Sequence, residues 1–295
     1  MGTPTPESMS CAHEQMMKES AAPGGLLRLH LRLGYDGSSF HGWARQRDLR
    51  TVAGVLEAAL GTVLRLHPAP ITVCAGRTDA GVHARDQHVH VDVPPETLPI
   101  SEGAPLAALR NRLNGVLPDD VRVFDVAVAP SGFDARFGAD WREYRYRVSE
   151  TVPDPLLRGF VVPWPAPLDL IELNAAAAML LGEHDFAAFC RRREGATTIR
   201  SVLACTWTRG TAAGAPTELT IRADAFCHSM VRSLVGAMLS VGDGRRARSW
   251  FAELLTAPTR RSDVVVAPAA GLVLEQVAYA DDPAARATVT RARRG

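Results

Sequence analysis

Short segments in which apolar and polar residues strictly alternate constrain the fold of this chain more than any other feature. Over residues 27–33, leucines at the odd positions alternate with basic residues, which is typical of a strand with one buried face. The same alternation recurs over residues 89–93 and 141–148. We predict further strands over 71–75, 121–128, 202–207 and 219–222.

Apolar residues at helical spacing predict helices that stand singly between groups of neighbouring strands. We place these helices at 52–64, 106–113, 170–181, 228–241 and 250–255. Because strands and helices do not alternate strictly, the order favours an α+β fold with a largely antiparallel sheet over a doubly wound parallel sheet. The order of elements is similar before and after the proline-rich run 153–167, which predicts two halves built alike.

The chain divides by composition into four expected regions. Residues 1–24 mix proline, serine, glutamate and methionine without periodicity, and they lack the basic start and apolar core of a signal peptide. We expect them to be a disordered extension. An N-terminal half over 25–152, a C-terminal half over 153–280 and a tail over 281–295 follow.

Composition narrows the class of protein without naming a partner. The 295 residues are 46% apolar and 22% charged with a net charge of +1, as in ordinary globular proteins. No apolar stretch approaches the roughly 20 residues that cross a bilayer, so we expect no membrane span. Of the 33 basic residues only Lys18 is lysine, so only the placement of particular arginines carries functional information.

The cysteines favour a reducing compartment. There are five, and none lies at CxxC or other metal-ligand spacing: Cys11, Cys74, Cys190, Cys205 and Cys227. A chain of this length can bury an adequate core without cross-links, so we expect a cytoplasmic protein.

The loop most capable of chemistry covers residues 75–84, Ala-Gly-Arg-Thr-Asp-Ala-Gly-Val-His-Ala, directly after a predicted buried strand. Arg77 and Asp79 lie two residues apart on an irregular segment, so we expect them to form an ion pair. A nearby arginine keeps a carboxylate ionised, and an ionised carboxylate in a cleft can act as a nucleophile or a base. Asp79 can equally close an Asx-turn with Arg77 as a surface partner, and the spacing alone names no reaction.

This stretch resembles the signature Gly-Arg-Thr-Asp-Ala-Gly-Val-His of the tRNA pseudouridine synthase A family. Other blocks similar to that family follow in the expected order from about residue 27 to residue 279. They are 35–38, 42–43, 45–46, 87–90, 114–118, 133–137, 142–146, 182–186, 223–232 and 271–272. The resemblance implies the pseudouridine synthase fold, in which two similar α/β halves share a mainly antiparallel sheet with an RNA-binding cleft.

The resemblance also implies roles for individual residues. Asp79 is the expected nucleophile, Arg77 and Arg232 its expected charge partners, and Tyr144 the residue that packs on the target base. Alternation places Tyr146 on the same strand face as Tyr144, where we expect a core residue. The implied reaction isomerises uridine to pseudouridine at positions 38, 39 and 40 of tRNA. Attack on C1′, attack on C6 and a glycal intermediate are all consistent with it, and none requires a cofactor.

The implied partners are tRNA and a second copy of the chain, with no membrane or small-molecule cofactor. Two segments are expected to contact RNA: Phe133, Asp134, Ala135, Arg136 and Phe137, and the basic run Arg191, Arg192 and Arg193. Basic residues beside aromatic ones suit a folded RNA that is recognised by shape and backbone. Each run can also be a solvated face, and we assign the arginines of the C-terminal tail to that class.

His83, His88 and His90 do not predict a metal site. No cysteine or glutamate stands at ligand spacing, so we expect these histidines to face solvent or RNA.

Two other functions remain open at the level of sequence. One is a catalytically idle tRNA-binding or chaperone protein on the same fold, against which the presence of Arg77, Asp79, Tyr144 and Arg232 argues. The other is a hydrolase with paired carboxylates, but no second acid accompanies Asp79 in a matching block.

Overall fold

One continuous sheet forms the centre of the protein. The computed structural model describes residues 21–22, 25–98, 105–152, 154–191, 197–212 and 214–294. In these residues the sheet has eleven strands: β1 (Ala21–Ala22), β2 (Leu26–Tyr35), β3 (Thr72–Cys74), β4 (His83–Val93), β5 (Val121–Val128), β6 (Ala139–Ser149), β7 (Val162–Pro163), β8 (Gly182–Asp185), β9 (Ile199–Arg209), β10 (Thr217–Ala223) and β11 (Leu272–Tyr279). Most of the N-terminal extension expected over 1–24 lies outside the described residues.

The strand order is β1-β2-β4-β11-β6-β10-β9-β8, with β5 paired to β2, β3 to β4 and β7 to β6. Nearly all pairs are antiparallel, which confirms the predicted α+β class. The parallel pairs in this part of the chain are β4 with β11 and β6 with β7. Strand β11, the last in the sequence, thus lies at the centre of the sheet and joins its two halves. Strand β6 precedes the proline-rich run but pairs with β10 and β11, so the sheet is continuous across the boundary expected at 152 and 153.

The described residues contain six α-helices: α1 (Val52–Leu64), α2 (Pro105–Val116), α3 (Leu170–Ala178), α4 (Met230–Gly242), α5 (Arg248–Thr256) and α6 (Pro283–Arg294). The first five confirm the predicted helices within a few residues. Thr51 caps α1 by accepting a hydrogen bond from the Gly54 amide at 3.3 Å. No helix in the described ranges is long and apolar enough to span a bilayer.

The segment 281–295, expected as a tail, contains helix α6. Its Arg291 side chain forms an ion pair with the buried carboxylate of Asp134, which joins α6 to the loop before β6. The contact is long-range, so local sequence did not indicate that α6 packs on the body of the protein.

The alternating strands separate an apolar face from a charged face. The odd-numbered leucines of β2 are at most 1% exposed and belong to a hydrophobic cluster that extends through both halves of the chain. Helix α2 packs on β5, and α3 packs on β9. On the other face, arginines and carboxylates pair across strands, as in Arg28–Asp92 at 2.7 Å and Arg222–Glu143 at 2.7 Å. Cross-strand pairs of this kind fix the strand register.

Helix α4 carries a close backbone contact that determines where its side chains lie. A Cβ atom added to Gly236 would stand 1.8 Å from the carbonyl oxygen of Val265, so only glycine permits this approach. One turn earlier, the Ala267 amide donates to the Arg232 carbonyl oxygen at 3.0 Å. The segment around residues 265–267 is therefore fixed against α4.

We expect Gly236→Ala to lower the free energy of unfolding by about 1–3 kcal/mol, because the added methyl group overpacks a backbone contact. Denaturant unfolding of the purified variant measures this change. Gly115→Ala is the matched control, since nothing lies within 4 Å of an added Cβ there. Replacing this helical glycine by alanine should raise stability by up to about 1 kcal/mol. Equal changes in the free energy of unfolding for Gly236→Ala and Gly115→Ala would contradict a close contact between Gly236 and the Val265 carbonyl oxygen.

Candidate active site

A cleft of about 1030 Å³ opens between the two halves of the sheet. It is lined by the loop after β3, by residues of β6, and by the segment that leads into α4. Among the described lining residues, seven are arginines and two are carboxylates: Arg45, Arg77, Arg136, Arg142, Arg191, Arg200, Arg232, Glu57 and Asp79. A cleft so rich in fixed positive charge attracts a polyanion.

The loop over residues 75–82 is held against the loop that follows β2. The Trp43 amide donates to the Thr78 carbonyl oxygen at 3.0 Å, and the Tyr35 and Thr78 hydroxyls are hydrogen-bonded at 2.7 Å. Gly42 has a φ of +92°, and a Cβ there would stand 2.8 Å from the Thr78 carbonyl oxygen. The Gln87 side chain donates to the Gly76 carbonyl oxygen at 2.7 Å and fixes the start of the loop.

Asp79 projects from this loop into the cleft and contacts three side chains from the other half of the chain. The Ser229 hydroxyl donates to Asp79 Oδ2 at 2.9 Å, and a guanidinium nitrogen of Arg232 lies 3.3 Å from the same oxygen. The His228 imidazole Nε2 lies 3.5 Å from Oδ1. The carboxylate is only 16% exposed. Its orientation is thus fixed mainly through Oδ2, with Oδ1 held less tightly.

Helix α4 aims Arg232 at this carboxylate. The Arg232 Nε donates to the Ala267 carbonyl oxygen at 2.8 Å, which fixes one edge of the guanidinium and leaves another edge for Asp79. The close approach of residues 265–267 to Gly236 fixes the position of the Ala267 carbonyl oxygen. The predicted contact between Arg232 and Asp79 is therefore present, and backbone packing determines its geometry.

The predicted pairing of Arg77 with Asp79 is wrong. Arg77 is exposed at the cleft, and no ion pair or hydrogen bond joins it to Asp79 in the described part of the chain. The Asp79 side chain faces the start of α4. There Ser229 and Arg232, and not Arg77, contact its carboxylate. Arg77 remains free to contact a ligand in the cleft.

Tyr144 lies on the floor of the cleft, where it is 7% exposed. Its ring packs edge-on against Phe226 at a centroid distance of 5.2 Å and an interplanar angle of 90°. Burial raises the pKa of the Tyr144 hydroxyl above its ordinary value, so this group stays protonated near neutral pH. Tyr146 is fully buried and donates its hydroxyl to the Pro268 carbonyl oxygen at 2.9 Å, which confirms it as a core residue.

Arg142 is a buried residue of the cleft to which the sequence analysis assigned no role. It donates to the carbonyl oxygens of Ala75 at 2.8 Å, Asp224 at 2.7 Å, Ala139 at 3.2 Å and Arg136. Burial lowers the pKa of its guanidinium, which has no carboxylate partner in these contacts. The sequence contains one indication of this role. Arg142 has an even number, so alternation places its charged side chain on the same face of β6 as Tyr144 and Tyr146.

The loop 133–137 is largely a structural element. Phe133, Asp134 and Ala135 are buried, and the Asp134 carboxylate accepts hydrogen bonds from the amides of Arg136 at 2.8 Å and Phe137 at 2.9 Å. The expectation that all five residues offer an RNA surface is therefore corrected. Arg136, which is exposed and lines the cleft, and the half-buried Phe137 remain available.

The second expected RNA-contact run is described only at its start. Arg191 is exposed and lines the cleft, whereas Arg192 and Arg193 lie outside the described residues.

The three histidines considered as metal ligands are buried, not solvated as expected. Tyr279 and Phe133 cover His88 and His90, and the His90 Nδ1 accepts a hydrogen bond from the Ala135 amide at 3.0 Å. Burial lowers the pKa of His90 to about 4, so it supports the loop 133–137 as a neutral ring. His83 Nδ1 accepts a hydrogen bond from the Gly37 amide at 3.0 Å. No group of three or more metal-ligating side chains occurs in the described ranges.

The chain is similar to several proteins of known name. The tRNA pseudouridine synthase family matches residues 176–280. A tRNA pseudouridine synthase A of Streptomyces griseus is 50% identical over 279 residues, covering 94% of this chain and 96% of the relative. Enzymes of the same name from Frankia casuarinae and Cutibacterium acnes are 52% and 50% identical, covering 92% and 91% of this chain and 96% and 95% of those proteins. The chain therefore belongs to the tRNA pseudouridine synthase A family of pseudouridine-forming isomerases.

Proposed function

We propose that this enzyme converts uridine to pseudouridine in the anticodon stem-loop of tRNA, at positions 38, 39 and 40, with Asp79 as the nucleophile. The observation that carries the proposal is the Asp79 carboxylate, held at 2.9 Å by Ser229 and at 3.3 Å by Arg232 inside an arginine-lined cleft. A carboxylate fixed in this way loses little orientational freedom when it attacks.

The contacts of Asp79 support different roles for its two carboxylate oxygens. Oδ2 is held by Ser229 and Arg232, and Oδ1 faces His228 at 3.5 Å. Bond formation to the nucleoside through Oδ1 therefore sacrifices fewer hydrogen bonds than bond formation through Oδ2. We infer that Oδ1 is the attacking oxygen. Arg232 fixes the orientation of the carboxylate before the attack and restores it when the product leaves.

The environment of Tyr144 suits a flipped base. Chemistry on a base requires that the nucleotide leave its stack, and an aromatic surface compensates part of the lost stacking. Tyr144 and Phe226 offer such a surface beside Asp79. After the C1′–N1 glycosidic bond breaks, the base rotates on this surface and a C1′–C5 bond forms. C5 then gives up its proton to solvent, N1 takes up one proton, and the Asp79 carboxylate is released. The reaction transfers no electrons and adds no group, so the resident side chains suffice.

The arginines at the rim suit the phosphates of a folded RNA. Arg77, Arg136 and Arg191 are exposed and line the cleft, and each can contact a backbone phosphate. We further propose that the enzyme acts as a cytoplasmic homodimer, as the family resemblance implies. Analytical ultracentrifugation of the full chain tests the dimer, and a purely monomeric species at working concentration would contradict it.

Release of tritium from tRNA labelled at uridine C5 separates this function from its rivals. A pseudouridine synthase releases tritium and leaves the RNA chain intact. An idle tRNA-binding protein releases none, and a hydrolase frees the base or cleaves the chain. Mapping of pseudouridine in the product tRNA then tests positions 38, 39 and 40.

We expect Asp79→Asn to abolish pseudouridine formation and to leave tRNA affinity within a few-fold of the parent. The amide keeps the shape of the side chain but lacks the nucleophilic charge. Tritium release and filter binding measure the two properties, and thermal unfolding serves as the control for folding. Turnover by a homogeneous preparation of the variant would contradict the assignment of the nucleophile.

Arg232→Lys should slow the chemical step roughly 30-fold or more, equivalent to about 2 kcal/mol, because lysine cannot contact Asp79 and the Ala267 carbonyl with one planar fork. Arg77→Lys is the matched control. Arg77 does not contact Asp79, and lysine at this position retains the positive charge that can contact a phosphate. We therefore expect a much smaller loss of rate in the chemical step.

Single-turnover rates at saturating tRNA compare these two variants. Equal rates for both would show that the Arg232–Asp79 contact does not serve the reaction.

Replacing Arg191, Arg192 and Arg193 with alanine should weaken tRNA binding and flatten the salt dependence of affinity by up to about two or three units, because each phosphate contact releases counterions. The chemical step at saturating tRNA should change little, provided that the target uridine still docks in register. Binding across a salt series and single-turnover rates measure the two effects.

Three exposed arginines outside the lining of the cleft, Arg245, Arg246 and Arg248, give a control with the same loss of charge. An equal change of slope in both triple variants would assign the effect to net charge and not to a docking surface at 191–193.

A further inference from the structure

Helix α6 packs closely against both ends of the loop 133–137. Its first two residues, Pro283 and Ala284, lie against the glycines that flank the loop. A Cβ atom added to Gly132 would stand 2.7 Å from the Cβ of Ala284, and one added to Gly138 would stand 2.9 Å from the Pro283 carbonyl oxygen. Contacts this close leave no room for a side chain at either glycine, so the helix and the loop occupy fixed positions relative to each other.

One carboxylate joins the middle of the loop to the same helix. Asp134 Oδ1 accepts hydrogen bonds from the amides of Arg136 at 2.8 Å and Phe137 at 2.9 Å. Its other oxygen, Oδ2, accepts a hydrogen bond from the guanidinium of Arg291, two turns into α6. The Asp134 side chain is only 10% exposed, so water competes weakly for these bonds. Asp134 therefore links the position of α6 to the backbone of Arg136 and Phe137.

The side chains of these residues are also stacked. The guanidinium carbons of Arg136 and Arg291 lie over the Phe137 ring, at 5.0 Å and 5.3 Å from its centroid. Cation–π contacts within about 6 Å of the ring centroid are attractive. Arg136 is exposed and lines the cleft, whereas Arg291 is not among the described residues that line it. Phe137 thus gives Arg291 a second connection to the guanidinium that reaches the cleft.

The first half of the loop is held by the sheet instead. The Arg28 guanidinium donates to the Phe133 carbonyl oxygen at 2.6 Å, and His90 Nδ1 accepts a hydrogen bond from the Ala135 amide at 3.0 Å. These contacts do not involve α6, whereas the amides of the two residues after Ala135 depend on Asp134. Loss of the Arg291 contact should therefore loosen the second half of the loop and leave its start in place.

We propose that helix α6 positions Arg136 for a backbone phosphate of tRNA, and that Arg291 is the positioning residue through which the helix acts. This inference deepens the proposed function and rests on it, because tRNA is the ligand. It gives the C-terminal helix a part in RNA binding that requires no contact between Arg291 and the RNA.

Binding of tRNA across a salt series tests the connection between the two arginines. Arg136→Ala removes one phosphate contact and should flatten the salt dependence of affinity by about one unit. Arg291→Ala should weaken binding roughly threefold or more in the parent. In the Arg136→Ala background it should weaken binding by less than about 1.5-fold, because residues that act through one another are not additive.

Arg248→Ala is the matched control for the loss of one positive charge. Arg248 is 51% exposed and pairs with Glu172 at 2.9 Å, whereas Arg291 is 50% exposed and pairs with the buried Asp134. A surface pair contributes little, so this control should keep the affinity of the parent within about 1.5-fold. Arg291→Lys can still donate to Asp134 and should recover most of the affinity.

Hydrogen exchange of the free enzyme provides a second measurement that needs no RNA. Mass spectrometry of peptic peptides that cover residues 133–137 reports on the amides bound to Asp134. These amides should exchange roughly tenfold faster or more in Arg291→Ala than in the parent, and unchanged in Arg248→Ala. Thermal unfolding checks that each variant folds.

Single-turnover rates separate positioning of the RNA-contact loop from general damage to the enzyme. At saturating tRNA the rate of Arg291→Ala should stay within about twofold of the parent, because only binding is affected. A variant whose fold is disturbed as a whole would lose rate as well as affinity.

Unchanged exchange in Arg291→Ala would overturn the positioning by α6. Parental affinity of Arg136→Ala would overturn its purpose in tRNA binding. An equal loss of affinity on removal of Arg291 with and without Arg136 would also overturn the proposal, because it would assign Arg291 a direct contact with RNA. Failure of the proposed function is distinguishable, since the parent enzyme would then release no tritium, whereas the exchange measurement involves no substrate.

Discussion

The buried guanidinium of Arg142 is the interaction on which the geometry of the cleft depends. It bonds to the carbonyl oxygens of Ala75, Arg136, Ala139 and Asp224, which belong to the loop after β3, the loop before β6 with the start of that strand, and the segment after β10. The guanidinium thereby joins three chain segments at the point where they meet. A buried cation without a carboxylate is costly to desolvate, and hydrogen bonds to several carbonyls offset that cost. The cleft thereby gains a rigid floor.

From this floor, the loop that carries Asp79 is positioned by close backbone contacts more than by side-chain pairing. Gly42 and Gly236 each permit an approach that a Cβ would prevent, one on the Asp79 side of the cleft and one on the Arg232 side. Errors in either contact would be transmitted to the distance between the carboxylate and the guanidinium. The block 42–43 contains Gly42, so this backbone contact gives that block a role in positioning the loop of Asp79.

Sequence reasoning succeeded where the information is local. Alternation and helical spacing located most strands and the first five helices, and resemblance located the loop of Asp79. It failed where partners come from distant segments. Arg77 was assigned to Asp79 by proximity in sequence, but Ser229 meets Asp79 only because α4 packs across the sheet. Phe133 and its neighbours were expected at the surface because nothing local shows that Tyr279 and Arg291 return to cover them.

The central position of β11 has a consequence for synthesis of the protein. During translation the strands β2, β4 and β5 can pair early, and β6, β9 and β10 can pair before the chain is complete. The edges of β4 and β6 that face each other stay open until Leu272–Tyr279 has left the ribosome and filled the gap between them. A nascent chain that ends before β11 already carries every residue that contacts Asp79, yet its two half-sheets remain unjoined. Completion of the polypeptide and formation of the cleft are therefore coupled events.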